Sequence, residues 1–305
     1  MSINKESIFI QINEEEKLHL KRFYQNKNGK IAFLLHGAIE NGKIFYSNSD
    51  KGLAPFLAQN GFDVYVADLR GRGESYPKIS KNSNYGQTEH ITEDIKLFIE
   101  KIIEIRGLEP QFWIAHSWGG VLLASYFARF EEYRSLVKGM LFFGTKRTVK
   151  VINWQRFFYI DFIWKFFCTI LTKKYGYLPA KDFKMGSDNE TFEDYFASKK
   201  WVKNNNWIDP KDNFDYFEAC KKVNFPPIIT ITGIKDKCLG HYSDVFNFLL
   251  EIDPKYPEYT TKHEFFVLNK KNGYLNDYDH INILTHKDCN IDHFPKLLKK
   301  IELLF

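Results

Sequence analysis

Cysteine is scarce in this chain of 305 residues. The four that occur (Cys168, Cys220, Cys238 and Cys289) are too far apart for a CxxC pair or a Cys/His ligand spacing. No metal site is therefore expected, and dispersed thiols in a chain this long are those of a reduced, cytoplasmic protein. Charge of one sign is lacking too: 43 Lys and Arg face 38 Asp and Glu, and no basic run exceeds three residues. That balance offers no footprint for nucleic acid. Long apolar runs are also missing. The longest, Phe157 to Leu171, is broken by Asp161 and Lys165, too short and too charged to span a bilayer. The first twelve residues are polar apart from a four-residue apolar patch, unlike a signal peptide. There is no internal repeat and no low-complexity linker.

What is present is the composition of a folded protein, 44% hydrophobic, 27% charged and 17% aromatic. The length suffices for one large or two ordinary domains. Two strands, Ser7–Ile12 and Leu18–Tyr24, flank the acidic turn Asn13–Glu16. Short runs apolar on both faces follow at Ile31–Leu35, Phe62–Ala67, Phe112–Ala115, Val137–Phe143, Pro227–Thr232 and Phe265–Leu268. Between them lie helical patterns: Gly52–Asn60 stopped by Gly61, Thr92–Arg106 with Thr92 as N-cap, Ser117–Phe130, and finally His293–Leu304. This alternation predicts an α/β fold, a mainly parallel sheet covered by helices on both faces and opened by an antiparallel hairpin. From Thr145 to Lys222 the alternation stops. No strand is expected there, and the helical patterns predict a cap inserted between two neighbouring strands, with residues 1–144 and 223–305 forming the body.

The segment Ile114-Ala-His-Ser-Trp-Gly-Gly-Val121 matches the nucleophile elbow, small-x-Ser-x-small, with Ala115 in the first small position. A strand turning sharply into a helix forces the middle residue into a strained conformation, and small neighbours avoid the clash. The elbow would project the Ser117 hydroxyl above the start of a helix, where partial positive charge gathers. Ser117 as a mere helix cap is the simpler alternative, but the strand before and the helix after favour the catalytic one. The strand Ile31–Leu35 ends in His36-Gly37-Ala38. There the Ala38 N–H, with the Trp118 N–H, would make an oxyanion hole; His36, which precedes Ser117, is read as structural.

These stretches, from Leu34-Leu-His-Gly-Ala38 through Gly61-Phe-Asp-Val-Tyr-Val-Ala-Asp-Leu-Arg-Gly-Arg-Gly-Glu-Ser75, resemble the α/β-hydrolase superfamily, notably its lysophospholipase, monoacylglycerol-lipase and acid-lipase branches. The resemblance covers most of residues 30–144 and 226–300 and leaves the insert out. It implies a triad in the chain order nucleophile, acid, base. The superfamily's acid lies in a Gly-x-x-Asp turn, which puts it at Asp236 in Gly233-Ile-Lys-Asp236. Gly144-Thr-Lys-Arg147 is basic and removes the earlier location, while Asp244 and Asp253 fit less well. The base follows the last strand. Asp277-Tyr-Asp-His-Ile-Asn-Ile-Leu284 resembles the branch pattern around its histidine and implies His280, ahead of His286, with Asn282 where Asp is usual. Arg70 and Arg72 belong to the turn pattern and are read as structural.

The insert concentrates what distinguishes this chain. Residues 145–222 hold 19 of the 52 aromatics, four of the six Trp, and 15 Lys and Arg against 10 Asp and Glu. The helix expected over Phe157–Thr172 is apolar around most of its circumference. Such an arc should be buried on the body and the rest of the insert, with part of it walling an acyl-chain pocket or, less favoured, touching a lipid surface. The expected activity is hydrolysis of a lipid-like or aromatic acyl ester through Ser117, His280 and Asp236, without cofactor. Thioester, amide or acyl-transfer chemistry would use the same triad, and a non-catalytic ligand-binding protein is the rival from another class. Epoxide-hydrolase and dehalogenase chemistry are disfavoured because the elbow carries Ser rather than Asp.

Overall fold

The computed structural model describes residues 2–203, 206–254 and 262–305. Strands β1 (Asn4–Gln11) and β2 (Lys17–Tyr24) form the expected antiparallel hairpin. They lead into β3 (Lys30–Leu35), β4 (Phe62–Asp68), β5 (Gln111–His116) and β6 (Val137–Phe143). Two-residue strands β7 (Tyr177–Leu178) and β8 (Glu190–Thr191) precede β9 (Ile228–Gly233) and β10 (Glu264–Leu268). Eight strands make one sheet in the order β1-β2-β4-β3-β5-β6-β9-β10. β2 meets β4 antiparallel, and every pairing beyond that is parallel. The fold is α/β, as the alternation of the sequence implies.

The interior strands are buried on both faces because helices cover both. On one face lie α3 (Ile95–Arg106), α4 (Trp118–Arg129) and α8 (Tyr242–Ile252); on the other lie α1 (Leu53–Gln59) and α10 (His293–Glu302). In β3 all five residues from Ile31 to Leu35 are buried. Each large apolar side chain so covered contributes roughly 1.5–3 kcal/mol.

Three expectations change. Thr92 is not an N-cap. The helix begins earlier, with α2 (Gln87–Glu89) and a π-helical turn His90–Asp94 leading into α3, and Gly86 donates its N–H to the Glu89 carboxylate. Thr92 instead donates its hydroxyl to the Thr88 carbonyl at 2.8 Å. Between β6 and β9 the chain is not wholly without strands, since β7 and β8 pair antiparallel. Otherwise that insert is helical: a π-helical segment Arg156–Phe167 running into α5 (Cys168–Tyr175), then α6 (Phe192–Lys203) and α7 (Tyr216–Lys222).

The third change concerns the wide apolar arc. In Arg156–Phe167 only Ile160 is buried, while Phe157 (54%), Phe162 (48%) and Phe166 (58%) stand in solvent. The π-helical stretch lies on the outer rim of the insert, so its aromatics cover one another, Phe158 on Phe162 and Phe162 on Phe166, with ring centroids 6.1 and 6.0 Å apart. The insert's inner side does reach the body: Trp201, Trp207, Tyr216 and Cys220 share a hydrophobic cluster with the sheet and α4. No helix among the described residues is long and apolar enough to cross a membrane.

Candidate active site

In a parallel sheet the carboxyl ends of the strands open together onto one edge, where loops can gather chemistry. Here Gly37 and Ala38 follow β3, Ser117 follows β5, Gly144 to Lys146 follow β6, and Asp236 lies three residues past β9. His280 sits before the short helix α9 (Asn282–Thr285), in the connection that follows β10.

At the turn from β5 to α4, Ser117 has φ 49° and ψ −123°, a conformation that costs a non-glycine residue of order 1–3 kcal/mol. Its surroundings hold it there. Its N–H donates to the Phe143 carbonyl at 2.8 Å. A Cβ at position 119 would lie 2.4 Å from the His36 carbonyl oxygen, so only glycine lets α4 start this close to β3. A Cβ at position 37 would lie 2.8 Å from the Cβ of Ser117. Ala115, where the elbow pattern usually has glycine, is buried within β5 between Leu35 and Phe142.

The Ser117 hydroxyl lies 3.0 Å from His280 Nε2, and His280 Nδ1 lies 2.5 Å from Asp236 Oδ2. Because Nδ1 faces a carboxylate it carries the proton, which leaves Nε2 to accept from Ser117. Asp236 also accepts the Gly240 N–H at 2.8 Å. Burial alone would raise the Asp236 pKa; the charge and hydrogen bond of His280, with the Gly240 bond, hold it below the usual carboxylate value. Close glycines permit the assembly: a Cβ on Gly144 would lie 3.0 Å from the His280 ring, and one on Gly240 2.5 Å from Asp236 Oδ2.

Ala38, Trp118, Ser117 and His280 line one cavity of about 420 Å³, walled mainly by apolar groups that include Val149, Ile160, Trp164, Met185 and Leu239. Trp118 is the first residue of α4, so its N–H belongs to the turn whose amides have no partner within the helix. His36 is buried away from the chemistry: Nδ1–H donates to the Gly37 carbonyl and Nε2 accepts the Leu69 N–H. Burial, and then Arg72 nearby, bring its pKa down to about 4 and keep it neutral.

The remaining candidates lie elsewhere. His286 is a half-exposed partner of Asp288. Asp244 accepts the backbone N–H groups of Lys150 and Val151, and Asp253 pairs with His263. Asn282 accepts the Asp279 N–H at 2.6 Å, a bond its amide oxygen makes as a carboxylate would. Arg70 binds Glu93 and Asp94, and Arg72 binds Glu190 and Asp194 of the insert.

One pair at the site is absent from the sequence reading. His116 Nδ1 lies 2.8 Å from Glu40 Oε2, and its Nε2 lies 2.9 Å from the backbone carbonyl of His280. Both ring nitrogens face acceptors, so the ring is an imidazolium that donates twice. Burial opposes that charge, but Glu40 raises the His116 pKa above the usual histidine value. Reciprocally, burial disfavours the Glu40 carboxylate, yet His116 brings its pKa down to about 2. Glu40 also accepts the Gly37 N–H at 3.0 Å. The pair therefore links the loop after β3 to the loop that carries His280.

Comparison with known proteins agrees with this architecture. An esterase from Exiguobacterium antarcticum superposes with a TM-score of 0.61 at 15% identity, over 97% of this chain and 100% of that one. At the sequence level, a bifunctional epoxide hydrolase 2 from Sus scrofa is 32% identical over 117 residues, 38% of this chain and 18% of its own length. Lipase lipl-3 from Caenorhabditis elegans is 26% identical over 111 residues, 33% of this chain and 28% of its own. The chain thus spans less than a third of the length of these curated relatives. A family model described as serine aminopeptidase, S33, matches residues 26–209, more than half of the chain. The match takes in most of the insert, which the resemblance read from the sequence leaves out, and it stops before Asp236 and His280. The chain belongs to this S33 family of α/β-hydrolases.

Proposed function

We propose that the protein is a serine carboxylic-ester hydrolase acting on a lipid-like or aromatic acyl ester. The observation that carries this reading is the hydrogen-bonded chain Asp236–His280–Ser117 opening into a largely apolar cavity. Neutral His280 takes the hydroxyl proton as Ser117 Oγ attacks the acyl carbonyl, and the Asp236 carboxylate keeps the ring in that tautomer and offsets its charge. The Ala38 and Trp118 amides receive the oxyanion. His280 then returns the proton to the departing alcohol, and water, activated by the same ring, releases the acid from Ser117. Residues 145–222 act as a cap whose Ile160 and Trp164 wall the acyl pocket, over a body made of 1–144 and 223–305. Ser117 at the elbow, where epoxide hydrolysis needs a carboxylate, speaks against that chemistry. The four free, buried cysteines fit a reducing, cytoplasmic setting.

Ser117→Ala should lower kcat on a p-nitrophenyl ester by ~10⁴-fold or more, and the wild-type serine should react with a fluorophosphonate. Unchanged esterase activity in Ser117→Ala would sink the assignment. Failure of the probe to label Ser117 in folded protein would favour a ligand-binding role.

A further inference from the structure

Lys146 lies three residues past β6, on the wall of the cavity that holds Ser117 and His280. It is 7% exposed. Among the described residues its ammonium makes no hydrogen bond and no ion pair. The three carboxylates near enough to act on it are already engaged: Asp236 by His280 and the Gly240 N–H, Glu40 by His116 and the Gly37 N–H, Asp244 by the Lys150 and Val151 N–H groups. Burial depresses the Lys146 pKa, and Asp236, the Cys238 thiol, Asp244 and Glu40 pull it back only in part. A buried ammonium without a contact partner is costly, and side chains in such places are normally paired. The other charged group on the wall free of such a partner is also a lysine, Lys184, at the exposed rim.

The cavity thus offers an apolar wall, a nucleophile and, among the described residues, one buried cation without a contact partner, the second such lysine, Lys184, standing in solvent. We infer that Lys146 is a substrate-recognition residue and that the ester this site takes carries an anionic group, a carboxylate or phosphate, on its acyl or its alcohol side. This deepens the ester-hydrolase reading and rests on it. The anion would complete the coordination of Lys146 while the chain between anion and ester lies along Val149, Ile160 and Trp164. A neutral ester of the same length makes the same apolar contacts and leaves the ammonium unmatched, so selectivity comes from this one pairing.

The experiment compares kcat/KM for two matched pairs. The pair p-nitrophenyl butyrate and mono-(p-nitrophenyl) glutarate places the charge on the acyl side. The pair phenyl butyrate and 4-(butyryloxy)benzoate places it on the alcohol side. Wild type, Lys146→Met and Lys146→Arg are measured, and the anionic-to-neutral ratio is the quantity read. In Lys146→Met that ratio should fall at least tenfold for one of the pairs, which identifies the side, and Lys146→Arg should recover most of it. Ratios that stay the same in Lys146→Met for both pairs overturn the inference while leaving the ester hydrolase intact. No turnover of any ester by wild type overturns the hydrolase reading instead. The Lys146 site is then judged by binding: in Ser117→Ala, the anionic member of one pair should bind at least tenfold tighter than its neutral mate, and adding Lys146→Met should abolish the difference. Equal affinities in Ser117→Ala reject it.

Discussion

Glu40 and His116 are 76 positions apart and meet behind the nucleophile at 2.8 Å. Removing one member of a buried ion pair leaves the other charge without a partner, a loss of about 3–5 kcal/mol. Glu40→Ala would strand the imidazolium and free the Gly37 N–H, loosening both the loop after β3 and the carbonyl of His280. Its unfolding midpoint should drop accordingly, and kcat should fall about 10-fold or more through misplacement of the reacting groups. Glu40→Gln behaves differently. His116 and the Gly37 N–H meet the same carboxylate oxygen, where an amide can either donate to a neutral His116 or accept from Gly37 but not both, so it should recover only part of the lost stability. Equal midpoints and rates for wild type and Glu40→Ala would dismiss the pair as a device of the site. Ser117 was legible in the sequence because strand, turn and helix are contiguous there. Asp236 and His280 could be named only through the superfamily resemblance, which gives each a place after a particular strand. Glu40, His116 and Lys146 were not legible, since their roles depend on which distant loops the sheet brings together. The basic turn Gly144-Thr-Lys-Arg147 was visible, but only as a place without an acid.

Among the elements, the parallel strands were the most legible. A run apolar on both faces has few homes other than the middle of a covered sheet. The start of α3 was less so, because Gly86 and Glu89 form its N-terminal turn by a backbone donor that no side-chain pattern announces. Periodicity also cannot say what lies opposite an apolar face, and the segment Arg156–Phe167 shows the consequence. Phe157, Phe158, Tyr159, Phe162 and Phe166 look outward, while Ile160 and Trp164 on the same segment line the cavity. A rim of exposed aromatics with Trp154 at one end and Lys173 and Lys174 beyond the other has the make-up of a surface that meets lipid headgroups. If an amphiphilic ester enters the cavity past this rim, the protein should float with liposomes, more with anionic than with neutral vesicles. Replacing Phe157, Phe158, Phe162 and Phe166 together by Ser should then reduce flotation several-fold, while activity on a short soluble ester falls less. Absence of wild-type flotation with either vesicle removes lipid contact from the account.

On the scale of the whole molecule, the insert is tied to the body by buried charge as well as by apolar packing. Arg72 Nη2 lies 2.7 Å from Glu190 and 2.8 Å from Asp194. Asp188 accepts from Asn41 and from the Gly73 N–H, both at 2.7 Å. Glu190 also accepts the Ile39 N–H, next to the proposed oxyanion amide, so the tie reaches the site. At its centre His90 has Nδ1 2.7 Å from Asp94 and Nε2 3.0 Å from Asp194. Two carboxylates on one ring require both nitrogens to be protonated. Burial opposes the charge, but Asp194 and Asp94 outweigh it and push the His90 pKa up to about 9. The sign of the linkage follows. A histidine raised in the folded state contributes its full stabilisation below its unfolded pKa of ~6.5 and loses it as pH rises through about 9. The tie should therefore weaken on the alkaline side and stay intact at neutral pH. Denaturant unfolding of wild type and His90→Asn from pH 6 to 10 isolates this contribution, because the other titrating groups are common to both. The gap between the two should be widest near pH 6, on the order of 3 kcal/mol, and close as pH approaches 10. A gap that stays constant across this range would mean that His90 holds the insert by shape alone, with no stabilisation from its second proton.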